Sequence, residues 1–218
     1  MNKIRLRYSK TGKAKYISHL DLTSVMQRAL LRAGIALKYS EGFNPHPYIS
    51  VALPSPVGIE SLCELVDIGT AEELLPEGLP DLINPMLPEG LFILEAYKPE
   101  RKFSDIKWVK IAGKLYYDSH PVMNAAERLT QRFFTDNIMI NKKTKRGSSM
   151  FDLAPFVRNI NFIGSGVIDM DAAISAHDPS ISPIDLLNAI KNEDEPGAPD
   201  HTVFTRIDTF DKDMQVFR

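Results

Sequence analysis

The period of the hydrophobic pattern, more than any single motif, limits what this chain can fold into. Residues 3–9 alternate Ile4, Leu6 and Tyr8 with Arg5, Arg7 and Ser9, the two-residue period of a half-buried strand. The period then lengthens, and Leu22, Val25, Met26, Ala29, Leu30 and Ala33 fall on one helical stripe. Ser18, followed three residues later by Asp21, has the form of a capping box with Asp in place of the usual Glu, and Gly34 stops the helix. Strands are expected at 35–39, 48–53 and 62–68, then a short helix around 79–87 interrupted by Pro80 and Pro85. Leu91 to Tyr97 returns as a strand.

After Pro99 the pattern starts again. A strand at 107–117 leads to a helix at 121–134 with Pro121 near its first turn. Strands follow near 137–142 and 162–170, with a short helix from Phe151 to Val157 between them. Ser182-Pro183 opens a helix through Ile190, 192–200 is an acidic Pro/Gly turn region, and 202–209 closes as a strand. The first half reads β-α-β-β-α-β, the ferredoxin-like order, and the second repeats it with an added helix. The expected fold is α+β, with two tandem ferredoxin-like units, 1–99 and 100–218, and antiparallel sheets.

A chain of 218 residues with 44% apolar content has the material for a proper core. No apolar run approaches the roughly 20 residues that span a bilayer. The segment from Met1 to Arg7 alternates charge with apolar side chains, so it reads as neither signal peptide nor anchor, and no membrane partner is expected. The single cysteine, Cys63, excludes an internal disulfide and points to a reducing compartment, the cytoplasm. It equally excludes a Cys-ligated iron–sulfur cluster, which needs several thiolates.

Charge is unevenly spread. Residues 1–50 carry nine Lys/Arg against two acids, and residues 51–100 carry one lysine against ten acids. Either the basic segment attracts polyanions, or the two segments pair in one sheet and neutralise each other.

The stretch Tyr39-Ser40-Glu41-Gly42-Phe43-Asn44-Pro45-His46-Pro47 carries the strongest functional signal. Prolines fix φ and glycine admits positive φ, so the loop is built to hold one shape and present Asn44 and His46. The alternative is that those two side chains bond their own turn backbone. His19, Asp21 and His46 are the candidate catalytic residues, suited to acid–base chemistry. For Asp21 the competing role is capping alone. No spacing matches a metal motif, and i, i+2 on a helix turns His19 and Asp21 apart by roughly 200°. Neither a metal nor a cofactor is expected.

Candidate substrate-binding residues are Tyr39, Ser40, Gly42, Phe43 and Asn44 in the loop. Arg28 and Arg32, one turn apart on the helix, suit phosphate contact, as do Lys143 and Arg146 in the basic 142–149 segment. Phe43 and Tyr48 are either core or stacking surfaces. Gly164-Ser165-Gly166 lacks dinucleotide-loop spacing and reads as a bulge. There is no Walker A motif, nucleophile elbow or His-Glu-x-x-His.

Ser18-His19-Leu20-Asp21, the Tyr39 to Pro47 loop, Leu53-Pro54-Ser55-Pro56-Val57-Gly58-Ile59-Glu60-Ser61 and Asp152-Leu153-Ala154-Pro155-Phe156 resemble the radical-SAM-linked proteins of unknown function. The resemblance implies a domain fused to, or encoded beside, a radical SAM protein. Without a three-cysteine motif this chain looks like the stand-alone form. At fold level it is also similar to CRISPR repeat-processing endonucleases and related RNA-binding proteins. The expected function is an accessory binding module, not an enzyme by itself, that presents an RNA substrate to a separate radical SAM enzyme. The alternatives are a metal-independent enzyme using His19 and His46, or a protein-only scaffold.

Overall fold

The computed structural model describes residues 2–118, 124–135, 137–144, 147–164, 167–177, 179–191 and 198–218. They divide into two compact units, Met1–Asp105 with Arg218, and Ile106–Phe217. The fold is mixed α+β, with four α-helices among the described residues and antiparallel strand pairing within each unit.

In the first unit β1 (Asn2–Lys10) pairs with both β3 (Glu60–Thr70) and β4 (Leu91–Tyr97), and β2 (Ile49–Ala52) pairs with β3. The order is β4-β1-β3-β2. Ile4, Leu6 and Tyr8 enter a core shared with Val66, Ile68 and Ile93 as expected, but β1 is not half-buried: Arg5 and Ser9 on its other row are buried as well. Helix α1 (His19–Arg32) adds Leu22, Met26 and Leu30 to that core, and α2 (Leu79–Ile83) adds Leu79 and Ile83. Each large apolar side chain so buried contributes about 1.5–3 kcal/mol. The Ser18 hydroxyl accepts from the Asp21 N–H at 3.2 Å and caps α1. Ser18→Ala should therefore lower stability by about 1 kcal/mol, read as a lower urea midpoint with unchanged slope.

The opposite side-chain row settles the charge question. Arg5 is buried against Asp67, Lys3 lies 3.6 Å from the same carboxylate, and Arg7 lies 3.2 Å from Glu95. Lys15 meets Glu60 at 3.2 Å. Basic β1 and the acidic segment after residue 50 neutralise each other across strand pairs.

Residues 35–39 are not a strand. They make only the isolated bridges Leu37↔Thr70 and Tyr39↔Pro47. The edge of β3 from Leu65 to Ile68 is already taken by β2, which leaves too little ladder for a second partner.

In the second unit β5 (Trp108–Tyr116) pairs with β10 (His201–Phe210) and β9 (Val167–Ser175), and β9 pairs with β8 (Val157–Ile163). The order is β10-β5-β9-β8. Helix α3 (Ala125–Thr135) packs on β8, with the Phe133 and Phe162 rings 5.5 Å apart. Helix α4 (Pro183–Lys191) buries Leu186, Ala189 and Ile190. Ser182 and Asp185 cap it reciprocally: the Asp185 N–H reaches Ser182 Oγ at 3.2 Å, and the Ser182 N–H reaches Asp185 Oδ2 at 2.9 Å. A separate hairpin joins β6 (Met139–Thr144) to β7 (Gly147–Asp152).

Two expectations for this unit need correction. Phe151 to Val157 is not a helix: Phe151 and Asp152 end β7, Ala154–Phe156 is one 3-10 turn, and Val157 begins β8. Asp152 Oδ1 accepts from the N–H groups of Ile138 and Ala154, each at 3.0 Å, and so turns the chain at that point. Residues 162–170 are not one strand with a bulge either. The chain reverses between Ile163 and Val167, and Gly164 at φ 128° takes a conformation denied to most residues. Ser165 and Gly166 lie outside the described residues, as do Pro121, Arg146 and most of the acidic 192–200 region.

Candidate binding loop and the cleft at its base

The Tyr39 to Pro47 loop is closed at its base and free at its tip. The Ser40 N–H donates to the His46 carbonyl at 2.9 Å, and the His46 N–H donates to Ser40 Oγ at 3.1 Å. Ser40 Oγ and His46 Nδ1 share a further hydrogen bond at 2.9 Å. The flanking chain is fixed too: the Tyr48 N–H meets the Lys38 carbonyl at 2.9 Å, and the Gly69 N–H meets the Tyr48 carbonyl at 2.8 Å. At the tip, Gly42 adopts φ 120°, Phe43 is fully exposed at 112%, and Asn44 is exposed with no hydrogen bond among the described residues. His46 thus bonds its own turn, whereas Asn44 does not.

The other candidates lie apart from this assembly. Asp21 is engaged in capping, its Oδ2 accepting from the Ser18 hydroxyl at 2.7 Å. His19 is exposed at the first position of α1, and no hydrogen bond or ion pair of the described residues joins it to His46. Arg28 is exposed and unpaired among the described residues, while Arg32 donates to the Met86 carbonyl. Lys143 belongs to β6, opposite Ser148. No three His, Cys, Asp or Glu side chains among the described residues are placed to hold a metal ion.

Beneath the loop lies a cleft of about 170 Å³, lined in part by Lys3, His46, Tyr48, Ser50, Asp67 and Gly69. Strand register explains it. Lys3 on β1 sits opposite Gly69 on β3, whose other side faces Tyr48, so that row carries no side chain at its centre and Gly69 lines the cleft. The next row on the same face runs Arg5, Asp67, Ser50. Arg5 grips Asp67 at two points, Nε to Oδ1 at 2.7 Å and Nη2 to Oδ2 at 3.1 Å. The Tyr48 ring centre is 6.5 Å from that of His46, tilted by 54°. Lys3, Ser50 and Gly69 were not among the sequence candidates. Only the register of strands far apart in the chain unites them, and no local motif signals that.

Residues 3–183 match a family model described as an uncharacterized protein conserved in bacteria, DUF2344. The chain belongs to this family. Loop, cap and cleft all lie inside the span that matches the DUF2344 model, and β10 lies beyond it. No curated protein matches the chain. Among the described residues no helix is long and apolar enough to cross a membrane.

Proposed function

We propose that the chain is an accessory binding module that presents an RNA substrate to a separate radical SAM enzyme. In this reading each unit is a ferredoxin-like βαββαβ module, supported by the strand orders β4-β1-β3-β2 and β10-β5-β9-β8. The observation that carries the proposal is a loop stapled at its base that holds Phe43 fully in solvent. A phenylalanine is normally buried, and a rigid loop that keeps one out offers a ready stacking face for an unpaired base. Asn44 beside it has free donors and acceptors for a base edge. The side chains of Lys38, adjoining the loop, and Arg28, on α1, have no partner among the described residues and suit phosphate contact. The radical SAM partner rests on the motif resemblance. Acid–base catalysis by His19 and His46 is less well supported, because no contact assembles the two.

Binding of a labelled single-stranded oligonucleotide, followed by anisotropy at stepped salt, tests this. Because most cations of β1 are paired, the log–log salt slope should be modest, about 1 to 3, at about 0.7 per phosphate contact. Phe43→Ala should weaken binding by about 5- to 150-fold, the loss of about 1–3 kcal/mol of stacking on one base. No binding at low salt would overturn the proposal.

A further inference from the structure

We infer that the cleft at the base of the loop holds the phosphate of a single nucleotide. This deepens the RNA-binding reading and rests on it. Three properties of the cleft select such a group.

The first is charge. Asp67 is almost fully buried and both its oxygens are held by Arg5, so its charge is answered within the fold. Lys3 is a second cation on the same carboxylate at 3.6 Å, and its side chain is 45% exposed. With both carboxylate oxygens already held by Arg5, the half-exposed Lys3 ammonium is the charge that the cleft presents to solvent. A cationic ligand has no open carboxylate to meet there, and an anion has an ammonium.

The second is the donor set. The hydroxyls of Ser50 and Tyr48 have no partner among the described residues. His46 Nδ1 is engaged with Ser40, which leaves its other ring nitrogen available. Charge-assisted bonds to phosphate oxygens are about twice as strong as neutral ones, so this set favours an anion over a neutral sugar.

The third is size. At about 170 Å³ the cleft has room for roughly five or six waters, at about 30 Å³ each. That suits a phosphate with part of its ribose. It falls well short of the roughly 300–1,000 Å³ of a site for a larger small molecule. The tilted Tyr48 and His46 rings form a wall for the sugar or base.

The test titrates the full chain with uridine 5′-monophosphate, uridine and inorganic phosphate, followed by NMR chemical shifts. The monophosphate should bind at least tenfold more tightly than uridine, with shifts at Lys3, Tyr48 and Gly69. Lys3→Gln should weaken the monophosphate by about tenfold or more, as loss of a charged hydrogen bond does, and leave uridine unchanged. Gly69→Val, which adds a branched side chain to the cleft lining at a strand position without positive φ, should abolish monophosphate binding. Should that variant fail to fold, Lys3→Gln decides alone. Equal affinity for uridine and its monophosphate, or an unaltered Lys3→Gln titration, overturns the assignment. Inorganic phosphate binding as tightly as the monophosphate overturns its nucleotide character. A monophosphate that binds while the oligonucleotide does not leaves the cleft standing and removes the RNA reading. The converse overturns the cleft alone.

Discussion

Asp67→Ala is expected to destabilise the first unit by about 3–5 kcal/mol, the usual cost of stripping one partner from a buried ion pair. Arg5 is 1% exposed and would keep the Arg101 carbonyl, at 2.9 Å from Nη2, and the Phe103 ring, centred 4.3 Å from the guanidinium carbon. Neither cancels a full charge in the interior. Since domains are stable by only about 5–15 kcal/mol, the variant should approach the edge of folding. Urea titration should show a large fall in midpoint. The double variant Arg5→Met/Asp67→Leu, which leaves only the half-exposed Lys3 charge behind, should recover most of the loss, because apolar replacements of buried pairs are often neutral. A cost below about 1 kcal/mol for Asp67→Ala would mean that the pair behaves as a surface contact.

Gly90→Val should be nearly as damaging. Gly90 has φ 89°, and a Cβ placed there would collide with the Thr11 carbonyl oxygen and come within 2.9 Å of the Ala14 Cβ. The Thr11 N–H also donates to the Gly90 carbonyl at 2.8 Å, so the two segments cannot separate without losing that bond. Left-handed backbone costs a branched residue about 1–2 kcal/mol, and overpacking adds about 1–3 kcal/mol. A fall in Tm of about 8 °C or more is expected, at about 4–8 °C per kcal/mol for a unit of roughly 100 residues. Gly42→Ala is the control. Its φ is 120°, but nothing lies within 4 Å of the added carbon, so only the backbone strain is felt. If Gly90→Ala and Gly42→Ala cost the same, steric contact at Gly90 is not the cause.

What the sequence revealed tracks how local each cause is. The Ser18–Asp21 cap, the β1 alternation and the α1 stripe depend on near neighbours and are legible there. Competition for a ladder is not, so residues 35–39, apolar enough for a strand, find the β3 edge occupied. Around Phe151 to Val157 the apolar spacing fits a helix or a strand end, and the Asp152 carboxylate decides between them. Neutralisation of the basic segment was open because pairing Arg5 with Asp67 requires the β1–β3 register. The loop was legible as a distinct turn from its prolines and glycine, and its closure by Ser40 and His46 is what the structure adds. Its cleft was not, since Lys3 and Gly69 meet only through that register.

If the loop takes a ligand as proposed, the Ser40–His46 closure bears on the rate of capture. With the base of the loop closed by these bonds, little conformational search should follow collision. Stopped-flow mixing should give a single phase whose rate rises linearly with ligand concentration. Ser40→Ala, which removes both hydroxyl bonds of the closure and leaves the backbone bond, should introduce a slower, concentration-independent step while leaving the tip chemistry of Phe43 and Asn44 intact.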